Sequence, residues 1–155
     1  MRVILLFSLF LSFVSNASTK DIVMDYLRIH AAYRIDAADW YKKGDTWITE
    51  STEKSEYLKV AITGDKVAVY SKFPTPISDM HLSGCATIYS QLVPDAAYWD
   101  ENTNANTKAI DTLWTDKIWS EEYEDKETII DGWKISIIKK PVEISCVIEP
   151  AFGKR

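Results

Sequence analysis

Glycine, proline, cysteine and histidine are all scarce in this 155-residue chain, at five, five, two and two residues. Each shortage closes off a class of function. The glycines are too few and too scattered for a phosphate-cradling loop, and no Gly-x-Gly-x-x-Gly run occurs. Neither a Gly-x-Ser-x-Gly elbow nor a His-Glu-x-x-His pair is present. Two cysteines and two histidines at wide spacing do not make a zinc signature. Cys85 and Cys146 are too far apart for a Cys-x-x-Cys redox motif. The acidic residues show no Asp-x-Asp-x-Asp-Gly ladder of the EF-hand kind.

Long apolar runs are also absent, with one exception at the start. Val3 to Val14 (VILLFSLFLSFV) is 12 residues, preceded by Arg2 and followed by Ser15-Asn16-Ala17. A basic residue, a short apolar core and small residues at −3 and −1 are the order of a cleaved secretory signal. Twelve residues are too few to span a bilayer about 30 Å thick as a helix. No cysteine follows the run, which argues against a lipid anchor. Residues 1–17 are therefore read as a signal peptide cut after Ala17, and 18–155 as one globular exported domain without a membrane anchor. The periplasm is the expected destination, with secretion as the alternative.

Cleavage would leave 138 residues, enough for one core. All 23 acidic residues remain and Arg2 is lost from the 18 basic ones, so 18–155 carries a net −6. That charge is repelled by phosphate backbones and argues against nucleic-acid binding. It suits a basic protein partner. In an oxidising compartment Cys85 and Cys146 are expected to join as one disulfide. Free buried thiols or a reactive thiol are the alternatives.

Hydrophobic periodicity points to an α+β class: an antiparallel sheet built from hairpins, with an N-terminal helix, in a single domain. Ser18-Thr19-Lys20-Asp21 opens like a capped helix, and Ile22, Tyr26, Ile29 and Tyr33 follow at helical spacing over about 19–36. Tyr26 to Ile35 also reads as a strand. Lys42 to Asp45 is a turn before a short strand at Thr46–Thr49. Tyr57–Thr63 and Lys66–Ser71 flank Gly64-Asp65, a hairpin signal. Ser83–Val93 reads as a strand or a short helix. Pro94–Lys108 is polar and Asn-rich, an exposed loop. Residues 108–122 fit a helix or an aromatic strand equally. Trp133, Ile135 and Ile137 alternate with polar residues, as do Val142, Ile144, Cys146 and Ile148. Each strand thus has one apolar face, and Lys139-Lys140-Pro141 lies between them.

No motif specifies a reaction, and no cofactor is implied. Asp79, His81 and Ser83 lie close in sequence, but triads are assembled from distant segments. His81 is read as an ordinary loop histidine, and His30 as a packing residue at the core edge. Carboxylate pairs such as Asp36 with Asp39 carry little information in a chain so acidic.

Aromatic residues are what the chain has in excess. Residues 18–155 hold six Trp, eight Tyr and two Phe. Most belong in a core. Tyr98-Trp99 differs, because it adjoins acid and Asn residues in the expected loop, as an interface anchor or a sugar-stacking platform would. Glu121, Glu122, Glu124, Asp125 and Glu127 form the densest acidic patch. Together these residues are the candidate partner-binding site. They fit an immunity-like inhibitor that sequesters a basic toxin or enzyme in the cell envelope. A small-ligand or carbohydrate-binding module, and a small hydrolase using carboxylates or His81, are the alternatives.

Overall fold

In a computed structural model, residues 17–29, 33–52, 56–74, 88–89, 91–93 and 125–152 are described. They include the helix α1 (Thr19–Ile29), a 3-10 turn at Ala37–Asp39, helical residues at 88–89 and 91–92, and seven strands: β1 (Tyr41–Lys43), β2 (Thr46–Thr52), β3 (Tyr57–Thr63), β4 (Lys66–Lys72), β5 (Asp125–Ile130), β6 (Trp133–Lys140) and β7 (Glu143–Pro150). The strands make one antiparallel sheet in the order β1-β2-β3-β4-β7-β6-β5. The architecture is mostly sheet.

Two-residue turns set the hairpins. Gly64 takes a φ of 59° between Thr63 and Lys66, which are paired. Asp131 and Gly132 both have positive φ, 47° and 78°, and join Ile130 to its partner Trp133. Two positive-φ residues in succession match the right-handed twist of the flanking strands. Gly44 (φ 60°) closes β1 on β2, so the expected turn at Lys42–Asp45 is narrower than read from the sequence, and Tyr41–Lys43 is a strand. Val142 belongs to the turn rather than the strand. Its carbonyl accepts a hydrogen bond from the Phe73 N–H at 2.8 Å, which ties the end of β4 to the β6–β7 turn.

Register puts the apolar positions of successive strands on one face. Thr49, Val60, Val69, Cys146 and Ile137 form one row across β2, β3, β4, β7 and β6. Trp47, Ile62, Val67, Ile148 and Ile135 form the next. All of these but Trp47 are buried, and they make the core with Val23 and Leu27 of α1 and with Tyr33, Ile35, Trp40, Ile88, Tyr89, Leu92 and Val93. Burying such side chains contributes about 1.5–3 kcal/mol each.

The helix begins where expected. The Ser18 hydroxyl accepts from the Asp21 N–H at 3.2 Å, a cap that satisfies an orphan donor. Thr19, Val23 and Leu27, spaced by four, are its buried stripe. It does not run to 36 as the periodicity suggests, because Tyr33 to Asp36 are not helical. Tyr33 and Ile35 are buried while Arg34 between them is exposed, with φ 47°. That is a period of two and a left-handed residue, neither of which a helix accommodates. Further along, the Val93 N–H donates to the Tyr89 carbonyl at 2.9 Å, a helical bond within the stretch that read as strand or helix.

Candidate interaction surface

The opposite face of the sheet has no buried side chain among the described residues. Its central row, Ile48, Ala61, Ala68, Val147 and Ser136, is small or apolar, with Tyr41 at one end and Glu127 at the other. Charged and phenolic rows flank it. Glu50, Lys59 and Tyr70 stand in register, then Ser145 and Ile138. Tyr57, Lys72, Glu143 and Lys140 make the next row.

Four glutamates on this face are each engaged by a lysine. The Lys59 ammonium lies 2.8 Å from Glu50, Lys66 lies 3.1 Å from Glu149, Lys134 lies 2.7 Å from Glu127, and Lys140 lies 3.5 Å from Glu143. Cross-strand alternation brings these groups together, since directly opposed residues share a face. The electrostatic consequences follow from the contacts. Hydrogen bonds from Lys59 and then Tyr57 hold Glu50 below the usual carboxylate range. The Tyr70 hydroxyl does the same for Glu143, and the Lys134 ammonium for Glu127. Desolvation first, then the neighbouring glutamate, pushes Tyr57 and Tyr70 up. Their rings meet edge to face with centroids 6.0 Å apart. Tyr41, about half exposed, donates weakly to Glu50 at 3.4 Å.

The sequence-derived site residues fare unequally. Tyr98, Trp99, Glu121, Glu122 and Glu124 lie outside the described residues, as do His30, His81 and Cys85. Asp125 opens β5, opposite Ile138. Glu127 is on the open face, but Lys134 and a 3.1 Å hydrogen bond from Ser136 engage its carboxylate. The patch at 121–127 thus has its last three residues in β5. Cys146 sits in the centre of the buried face, and no free cysteine occurs among the described residues. Sequence reasoning missed β5 and the tyrosine–glutamate–lysine face. Asp131-Gly132 ahead of an alternating strand is the signal that would have found the β5–β6 hairpin.

Among the described residues no helix is long and apolar enough to cross a membrane. No three or more His, Cys, Asp or Glu side chains group as metal ligands there. No family model matches this chain, and no curated protein or solved structure is significantly similar to it.

Proposed function

We propose that this is an exported binding protein, immunity-like in its action, that sequesters a basic protein partner in the cell envelope. The observation that carries the reading is how the charge is distributed. Residues 94–124, between β4 and β5, contain eight acids and two bases, with three Trp and two Tyr. The rest of 18–155 holds fifteen acids and fifteen bases and is neutral. The net −6 thus belongs to one 31-residue stretch, the one that carries Tyr98, Trp99, Glu121, Glu122 and Glu124. Glu50, Glu127, Glu143 and Glu149 of the open sheet face are each paired with a lysine, so the steering field comes from this stretch. Tyr98 and Trp99 supply the aromatic anchors.

In the same reading, 18–155 is a single domain and Cys85 bonds Cys146. Burial of Cys146 in the sheet core supports that bond, because a half-cystine packs there among apolar side chains. A second reading, a carbohydrate-binding module, draws on the open face. A sheet with Tyr41, Tyr57 and Tyr70 beside cross-strand carboxylate–lysine pairs is a surface on which a neutral glycan chain can lie.

A pull-down decides between them. Oxidised 18–155 is incubated with envelope and secreted extracts, and bound proteins are identified by mass spectrometry. A single stoichiometric basic partner is expected, with association slowed about tenfold or more by charge reversal at Glu121, Glu122 and Glu124. A protein that binds no partner but is retained on polysaccharide would sink the binder reading in favour of the second.

A further inference from the structure

We infer that the Ala17–Ser18 bond is a processing site that folding closes: it is cut while the chain is unfolded and is protected once α1 docks. The inference rests on the export reading above and deepens it.

The geometry is local. Ser18 is the helix cap itself, so no spacer separates the scissile bond from the folded structure. Its hydroxyl accepts from the Asp21 N–H at 3.2 Å and donates to Asp21 Oδ2 at 2.7 Å, and its carbonyl accepts from the Ile22 N–H at 3.0 Å. The next residue, Thr19, is buried at 7 % exposure. Its hydroxyl donates to Asp65 Oδ1 at 3.0 Å, across to the β3–β4 turn. Lys20 follows, with its ammonium 5.3 Å from the centre of the Trp47 ring. Peptidases take their substrates extended, with backbone groups on both sides of the bond engaged. After this bond Ser18 caps the helix, Thr19 is buried, and the chain is helical from Thr19 on. Cutting the folded chain therefore requires the first turn of α1 to unwind and Thr19 to leave the β3–β4 turn.

The reaction is a simple hydrolysis. Water adds across the Ala17–Ser18 amide, the C–N bond breaks, and Ala17 leaves as a carboxylate while Ser18 keeps an α-ammonium. That new positive charge appears at the positive end of the helix dipole, which disfavours it. Asp21, already held against Ser18, is the first-turn carboxylate that offsets it.

The test uses the full 1–155 chain with purified signal peptidase in detergent, once folded and once unfolded in urea at a concentration the enzyme tolerates. The unfolded chain should be cut after Ala17, and the folded chain at least about tenfold more slowly, equivalent to about 1.4 kcal/mol. Thr19→Val and Asp65→Asn should each speed cleavage of the folded chain severalfold without changing the unfolded rate, with circular dichroism showing that both variants fold. Failure to cut the unfolded chain at Ala17–Ser18 refutes the export reading. Cleavage of the unfolded chain with equal cleavage of the folded one refutes the inference alone. Folded variants as resistant as the parent would also refute it, because the Thr19–Asp65 contact would then not be the closure.

Discussion

The Lys134 ammonium lies 2.7 Å from the Glu127 carboxylate, one strand across the open face. This pair separates Glu127 from the acidic residues that precede it in sequence. Glu127→Gln should therefore leave the partner's association rate and its salt dependence close to those of the parent, whereas charge reversal at 121, 122 and 124 should change both. Stopped-flow association at two ionic strengths measures the difference. A large effect of Glu127→Gln alone would place the steering charge on the sheet instead.

The carboxylates Asp21, Glu50, Glu127 and Glu143 all titrate below their ordinary values in the folded protein. A depressed folded value means that the stability is present above the unfolded value and is lost as pH falls through the folded one. Lys59, Lys134, Tyr57 and Tyr70 titrate above their ordinary values. Their contribution is present below the unfolded values and is lost as pH rises through the folded ones. Thermal midpoints should accordingly be flat from about pH 5 to about pH 9.5 and fall on both sides. The groups are exposed or nearly so, and 1 M salt should flatten the acid limb. A midpoint that drops between pH 6 and 8 would point to a group not among these.

Ile148 is fully buried, opposite Val67 and Ile135 in the central strands. Ile148→Ala should cost about 2–5 kcal/mol, the transfer term plus the cavity left in the sheet core. On the other face, Ala68→Ser should cost much less, because its side chain is only partly covered. Urea denaturation with a constant m-value checks both. Similar losses for the two would mean that the open face is not open in solution.

Gly132 has a φ of 78°, and a Cβ added there would meet nothing within 4 Å. Gly132→Ala thus isolates backbone strain from packing. The expected loss is about 1–2 kcal/mol, that of placing an L-residue in the left-handed region. No loss in urea denaturation would show that the β5–β6 turn relaxes to another type.

If Cys85 and Cys146 are joined, the unreduced, denatured 18–155 chain should show no thiol to Ellman's reagent. Reduction should lower stability by as much as about 4 kcal/mol for a loop of about 60 residues in the chain-entropy model. Two titratable thiols before reduction would rule the bond out.

How much of this was legible beforehand varies from element to element. The hairpin at 57–72 and the pair of strands at 133–150 were readable because alternation of period two and short turn signals are local properties. The cap at Ser18 was readable for the same reason. The helix was overestimated because Ile29 and Tyr33 continue its spacing. Only packing, with Tyr33 and Ile35 both buried around a left-handed Arg34, shows that 33–35 are not part of it.

The order of the first 17 residues, the total charge and its concentration in 94–124 are determined by the sequence alone, since they need only composition and position. Which strand lies beside which is not. Period two tells which side chains share a face, but β4 pairs with β7, about 70 residues further on, and places Val69 opposite Cys146. That pairing comes from long-range burial, because it lines the buried side chains of β7 up with those of β4 on the covered face. The tertiary structure likewise decided the state of the charges. Glu50, Glu127, Glu143 and Glu149 look alike in sequence, and each is neutralised by a lysine that its own strand register or turn brings within reach.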